Sequence, residues 1–90
     1  MDIEFDPVKR ERTLRERGLD YAHAWRLFDG ETFTAPDLRF DYGEGRMVSY
    51  GRIDGLAIVV VWTERNGKRR IISMRRAHEW EMERVRLGRS

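Results

Sequence analysis

Ninety residues give one domain (1–90) with a thin core, and apolar and charged fractions of 40% and 38% exclude a disordered chain. The absence of cysteine excludes disulfides and thiolate metal sites, and MDIEFDP has neither the basic nor the apolar part of a secretory signal. The longest apolar run, residues 56–62, is far short of the roughly 18 residues of a membrane span. A soluble cytoplasmic protein is therefore expected. The net charge of +2 hides an uneven distribution: +3 over residues 9–17, −4 over 29–45 and +6 over 65–90.

In chain order, residues 3–5 read as a short strand. Asp6-Pro7 sets an N-cap before a proline at the first helical position, predicting a helix over residues 7–17 that Gly18 stops. Its apolar stripe is thin, chiefly Val8 and Leu14. Asp20 caps a second helix in the same way. There Tyr21, Ala24, Trp25 and Phe28 fall at i, i+3, i+4 and i+7 beside Leu27, which assigns Tyr21, Trp25 and Phe28 to the core with Trp62. Residues 31–45 hold Pro36, two glycines and a cluster of four acidic residues, with a strand at 32–34 or 38–40.

Residues 46–53 read as a strand interrupted by Gly51, and Asp54-Gly55 as a two-residue hairpin turn. Residues 56–63 are nearly all apolar, as in a central strand covered on both faces. Asn66-Gly67 marks a second turn, whose flanks suggest a loop longer than two residues. A strand over 70–74 follows. A last helix over about 76–87 puts Ala77, Trp80, Arg84 and Leu87 on one face. The order predicts an α+β fold: an antiparallel meander with two N-terminal helices and one C-terminal helix packed on one side.

The chemistry sits mainly in arginine, sixteen of the eighteen basic residues. Its planar fork suits bidentate phosphate contact. Arg65, Lys68, Arg69, Arg70, Arg75 and Arg76 occur between residues 65 and 76 without one acidic residue. Cleaving RNA by 2′-hydroxyl attack requires a proton acceptor, a stabiliser of phosphate charge and a proton donor. Arg70, Arg75 and Arg76 are the candidates for phosphate and transition-state contact, since helix N–H groups near the last two add to an anion site. The competing reading is ion pairing with Glu79 and Glu83. Glu64 and His78 are candidates for proton transfer, against an ion pair with Arg65 and plain helix surface. Lys9, Arg46, Arg65, Lys68 and Arg69 are candidates for RNA binding. For Lys9 the alternative is surface charge, and for Arg46 a pair with Glu44. His23 reads as surface, and Trp80 as core or a partner contact. Asp and Glu are scattered singly, so neither metal nor other cofactor is expected.

Five pieces occur in a recognisable order. They are Phe5-Asp6-Pro7 with Lys9; Gly18-Leu19-Asp20-Tyr21 leading to Ala24 and Phe28-Asp29; Arg46 followed by Gly51; Val61-Trp62-Thr63-Glu64-Arg65; and the run from Arg70 to Ala77 with Glu81. Together they resemble the BrnT family of type II toxin–antitoxin toxins. The resemblance implies a RelE-like fold and an endoribonuclease that cuts RNA and inhibits translation. It also implies a ribbon-helix-helix antitoxin, in a complex of two toxins and two antitoxins that binds operator DNA through the antitoxin. Nucleases of this kind rely on arginine and lysine, which fits the metal-independent reading. The family usually reads Asn-Leu-x-Lys-His-Gly at the end of the first helix. Here Glu16 and Arg17 stand at the lysine and histidine positions, and Val85 at that of a common tyrosine. Those departures keep an alternative open, a catalytically weakened RNA- or protein-binding regulator.

Overall fold

The computed structural model describes residues 1–39 and 41–89, with side chains described through residue 86. Phe40, in one of the two alternative strand positions, and the side chain of Leu87 lie outside the described residues. The elements are β1 (Ile3–Glu4), α1 (Pro7–Arg17), a 3₁₀ turn (Tyr21–His23), α2 (Trp25–Asp29), β2 (Phe33–Pro36), β3 (Arg46–Ile53), β4 (Leu56–Arg65), β5 (Lys68–Arg76) and α3 (Glu79–Arg89).

The sheet order is β1-β5-β4-β3-β2. β2 to β5 form the expected antiparallel meander. The sheet as a whole is mixed, however, because β1 joins the outer edge of β5 in parallel, pairing Ile3 with Arg69 and Glu4 with Arg70. Three helical segments separate β1 from the meander, so no tight turn forces it antiparallel.

Both hairpins close with two residues at positive φ, Asp54 (51°) with Gly55 (79°) and Asn66 (54°) with Gly67 (76°). These are primed turns whose twist matches the strands. Asn66-Gly67 thus needs no longer loop: Arg65 pairs directly with Lys68.

One face of the sheet carries the core. Ile58 and Val60 of β4 and Ile71 and Met74 of β5 pack against Tyr21, Ala24 and Leu27. Those last three residues recur every third position because the segment opens as a 3₁₀ turn, which has three residues per turn. A continuous α-helix is therefore not formed, and the phase change turns Trp25 outward, 53% exposed, instead of into the core. Phe28 stays half-buried, edge-on to Trp62 at 5.8 Å. β3 runs unbroken through Gly51, whose missing side chain makes room for Leu27.

The helices do not all lie on that face. Val8 and Leu14 of α1 are exposed, and α1 meets the margin of β5 through long polar side chains. Lys9 Nζ donates to the Ile72 carbonyl at 2.8 Å, and Arg17 Nη1 to the Met74 carbonyl at 2.9 Å. The Tyr21 hydroxyl also donates to Ile72 O. Strand β5 extends through Arg76, so α3 starts only at Glu79. Met82 is its buried residue among those described, whereas Trp80, read from the sequence as core or a partner contact, is 61% exposed. A bidentate Arg52–Glu79 pair ties the start of α3 to β3.

A Cβ on residue 51 would sit 2.9 Å from Leu27 Cγ and 3.1 Å from Cδ1. Leu27 is fully buried and cannot retreat. Gly51→Ala is expected to lower unfolding free energy by about 1–3 kcal/mol, checked by urea denaturation; an unchanged midpoint would show that the Leu27 contact is loose.

Candidate nucleic-acid interface

Alternation along the strands sends a second set of side chains to the opposite face. The register aligns Val48, Val61 and Ser73 in one row and Tyr50, Val59 and Arg75 in the next, with Arg46 opposite Thr63 at one end. Two cavities open over these rows, and α3 reaches the same face at their end, beside Arg52 and Phe33. α1 stands along one margin and residues 35–39 along the other, leaving a groove with β3, β4 and β5 as its floor. Val59 and Val61 are buried at the bottom of it. The second face of β4 is thus lined by a groove rather than by a helix.

Two adjoining cavities make up the groove. The first, about 510 Å³, is lined by Lys9, Arg12, Thr13, Glu16 and Tyr21 with Arg46 and Ile72. The second, about 560 Å³, is lined by residues 35–38 with Val48, Tyr50, Val59 and Arg75. Arg17, Arg39, Val61 and Ser73 border both, so the space is continuous. Six cationic side chains line it: Lys9, Arg12, Arg17, Arg39, Arg46 and Arg75. Two acidic ones, Glu16 and Asp37, accompany them.

Lys9 donates from the α1 wall of the groove to the Ile72 carbonyl. Its acceptor, Ile72, is the bulged residue that the register skips between Val61–Ser73 and Trp62–Ile71. Burial pushes the ammonium pKa below its ordinary value. Arg46, Arg12 and Arg70 push it further the same way, while Asp6 opposes them. Three of the arginines are held by carboxylates. Glu81 receives both Nη atoms of Arg75, at 2.8 and 3.1 Å, and the backbone N–H of His78. Asp37, buried, receives Nε and Nη2 of Arg39, each at 2.9 Å. Arg46 lies 3.9 Å over the Tyr42 ring and reaches Glu44 at 3.1 Å.

Of the residues singled out in the sequence, Lys9, Arg46 and Arg75 meet in the groove. Arg70 stands nearby as an electrostatic neighbour of Lys9, its guanidinium 3.5 Å from Glu4. Arg76 follows Arg75 by one residue, opposite Ile58, and so belongs to the other face. Arg69 is also on the helix side. Its guanidinium lies 4.0 Å from the Phe28 ring centroid and 4.9 Å from that of Trp62, and its Nε is buried without a hydrogen-bond partner. Glu64, Arg65 and Lys68 are exposed at the hairpin tip. His78 lies beyond β5, its ring stacked on Trp80 at 6.0 Å.

The sequence reading passed over Arg12, Arg39 and Tyr50 as groove residues and met Arg17 only as a departure from the family pattern. Lys9, Arg12, Thr13 and Glu16 fall at i, i+3, i+4 and i+7, a polar helix face that was available as a signal. Tyr50 shares the period-two row of Arg46 and Val48. Arg39, on an irregular segment, has no periodic signal. Among the described residues no three His, Asp or Glu side chains gather as metal ligands would.

The arginines hold the Asp37 and Glu81 carboxyls at about 2, against ordinary values of 3.8 and 4.5. Folded pKa values below the unfolded ones mean that the unfolded chain binds more protons in this interval. The stabilisation is complete above about pH 4.5 and is lost as pH falls towards 2. Thermal melts should show a midpoint falling across that window, with a shallower fall in Asp37→Asn and Glu81→Gln. Parallel slopes in wild type and variants would refute this assignment.

No curated protein matches the chain at a significant level. A family model described as "Ribonuclease toxin, BrnT, of type II toxin-antitoxin system" matches residues 5–81. That match runs from the residue before the α1 cap through the whole meander into α3, and covers Lys9, Arg46 and Arg75. An RNA substrate and an antitoxin partner accompany such a toxin. The cationic groove thus lies within a chain that belongs to the BrnT family of ribonuclease toxins.

Proposed function

We propose that RNA binds in the groove across β3, β4 and β5 and is cut there without a metal, by attack of a ribose 2′-hydroxyl on the adjacent phosphate. The observation that carries this reading is the convergence of Lys9, Arg12, Arg17, Arg39, Arg46 and Arg75 on one open sheet face. Lys9 takes the 2′-hydroxyl proton, because an amine with a depressed pKa is neutral more often at physiological pH. Arg46 and Arg75 hold the phosphate and the charge that builds on it. The 2′-oxygen forms a bond to phosphorus, the bond to the 5′-oxygen breaks, and water in the open groove protonates the leaving oxygen. Arg70 supplies positive potential at the Lys9 end. Arg65, Lys68, Arg69 and Arg76 steer RNA from outside the groove, and Glu64 and His78 take no part in the proton transfer.

In the cell this activity inhibits translation in the cytoplasm. A ribbon-helix-helix antitoxin neutralises it, in a complex of two toxins and two antitoxins that represses its own operon. For the fold we take the RelE-like reading that the resemblance implies. These readings rest on the family and on the sequence resemblance. Among the described residues no helix is long and apolar enough to cross a membrane.

A second reading is a toxin-fold regulator that binds RNA but cuts it slowly. It rests on Arg17, which stands where the family usually has histidine. Its guanidinium lines both cavities and donates to Met74 O. A guanidinium cannot shuttle a proton near neutral pH as an imidazole can.

Protein freed of antitoxin, incubated with RNA and a chelator, should yield products with 2′,3′-cyclic phosphate ends. Lys9→Ala should slow cleavage by about 10²-fold or more. Intact RNA with the wild type, matching an Arg46→Ala Arg75→Ala control, rejects the nuclease chemistry for this chain. If that RNA is bound but uncut and induced expression leaves growth unaffected, the regulator reading stands instead.

A further inference from the structure

The two halves of the groove differ in chemistry. Around Lys9 the walls are cationic and polar. Around Tyr50 the floor is apolar, built from Val48, Val59 and the Tyr50 ring, with Pro36 and Leu38 at the lip. Leu38 is 86% exposed, an aliphatic side chain at the mouth of an apolar floor. Two guanidiniums, Arg39 and Arg75, flank this half. Each is held in its plane by a bidentate carboxylate, so each offers a flat face rather than a mobile charge. The volume of about 560 Å³ is within the range of small-molecule sites.

We infer that the Tyr50 half is a pocket for one unpaired nucleobase, and hence that the RNA taken by the groove is single-stranded there. This deepens the RNA reading of the groove and rests on it. Arg46 and Tyr50 lie four residues apart on the same face of β3, about 13 Å at the usual strand rise. A strand whose phosphates occupy the Lys9 and Arg46 end therefore carries a neighbouring base towards Tyr50. A base turned out of a strand has an apolar, polarisable face, which stacks on tyrosine and on guanidinium planes. A duplex keeps its bases inside and has nothing to place on this floor. The cationic wall favours an anionic chain as occupant over an apolar peptide, which would offer no counterpart to Lys9, Arg12 and Arg17, the three groove cations without a carboxylate partner among the described residues.

The test uses a short 2′-O-methyl oligonucleotide, which cannot be cut by 2′-hydroxyl attack, carrying one 2-aminopurine, and a matched strand with abasic positions. Wild-type protein should bind the base-bearing strand at least about fivefold more tightly than the abasic one, and 2-aminopurine fluorescence should fall on binding. Tyr50→Ala should abolish both the preference and the quenching, while Tyr50→Phe keeps them. Leu38→Asp, at an exposed position where folding is not at stake, should weaken the preference. Equal affinity of wild type for the two strands, or quenching that survives in Tyr50→Ala, overturns the pocket. So does a Tyr50→Ala protein that binds oligonucleotide normally but loses its antitoxin, which would assign this half to the protein partner. If the base preference holds while ordinary RNA is never cut, the pocket stands and the nuclease chemistry falls.

Discussion

The closure of one sheet edge governs the rest of the molecule. β1 is two residues long and covers β5 only at Arg69 and Arg70. Beyond it the carbonyls of Ile72 and Met74 would face outward, an open edge of the kind that invites pairing with another strand. Lys9, Tyr21 and Arg17 close it with side-chain donors. Thr13 adds a buried hydroxyl contact to Tyr21. Because this closure comes from long side chains, α1 stands beside the sheet and not on it. One face is then free, and the residues that seal the edge also form the wall of the groove. Lys9 therefore seals the edge from the wall of the groove, through one ammonium.

The opposite face shows the complementary economy of a thin core. Three residues at three-residue spacing, Tyr21, Ala24 and Leu27, supply most of the helical cover. Leu27 reaches the sheet only because β3 has glycine at position 51. The polar group buried beneath is satisfied: Ser49 Oγ accepts from Trp62 Nε1 at 2.8 Å and shares a hydrogen bond with Thr34 Oγ1 at 2.7 Å. On the other side α3 meets the sheet at the end marked by Arg52 and Phe33, and the rest of that face is open to a ligand.

Three of the five groove arginines have acidic partners, Arg39 with Asp37, Arg46 with Glu44 and Arg75 with Glu81. The carboxylates of Asp37 and Glu81 are nearly buried while Arg39 and Arg75 stay partly exposed, so each guanidinium is held in place with part of its surface towards the open groove. Lys9 differs, having a backbone carbonyl and several cations around it instead of a carboxylate at hydrogen-bond distance. That surrounding depresses its pKa and separates its chemistry from that of the arginines.

The sequence by itself determined the elements whose causes are local. Asp6-Pro7 and Gly18 bound α1, Asp54-Gly55 and Asn66-Gly67 close the hairpins, and the apolar run after Leu56 makes β4 central. The ordered motifs also disclosed the family. What they did not contain was the pairing of distant surfaces. The basic run from Arg65 to Arg76 looked like one site, yet alternation divides it between two faces. Arg69 goes to the aromatic side and Arg75 to the groove, while Arg65 and Lys68 stay at the tip. Arg12, Arg17, Arg39 and Tyr50 are far apart in the chain and meet only because α1 docks on the β5 edge and residues 35–39 border the far side of the sheet. Local signals fix strands, turns and caps, since those depend on neighbours in sequence. The groove depends on which carbonyls are left open at a sheet edge and which side chains can reach them, and only the tertiary structure decides that.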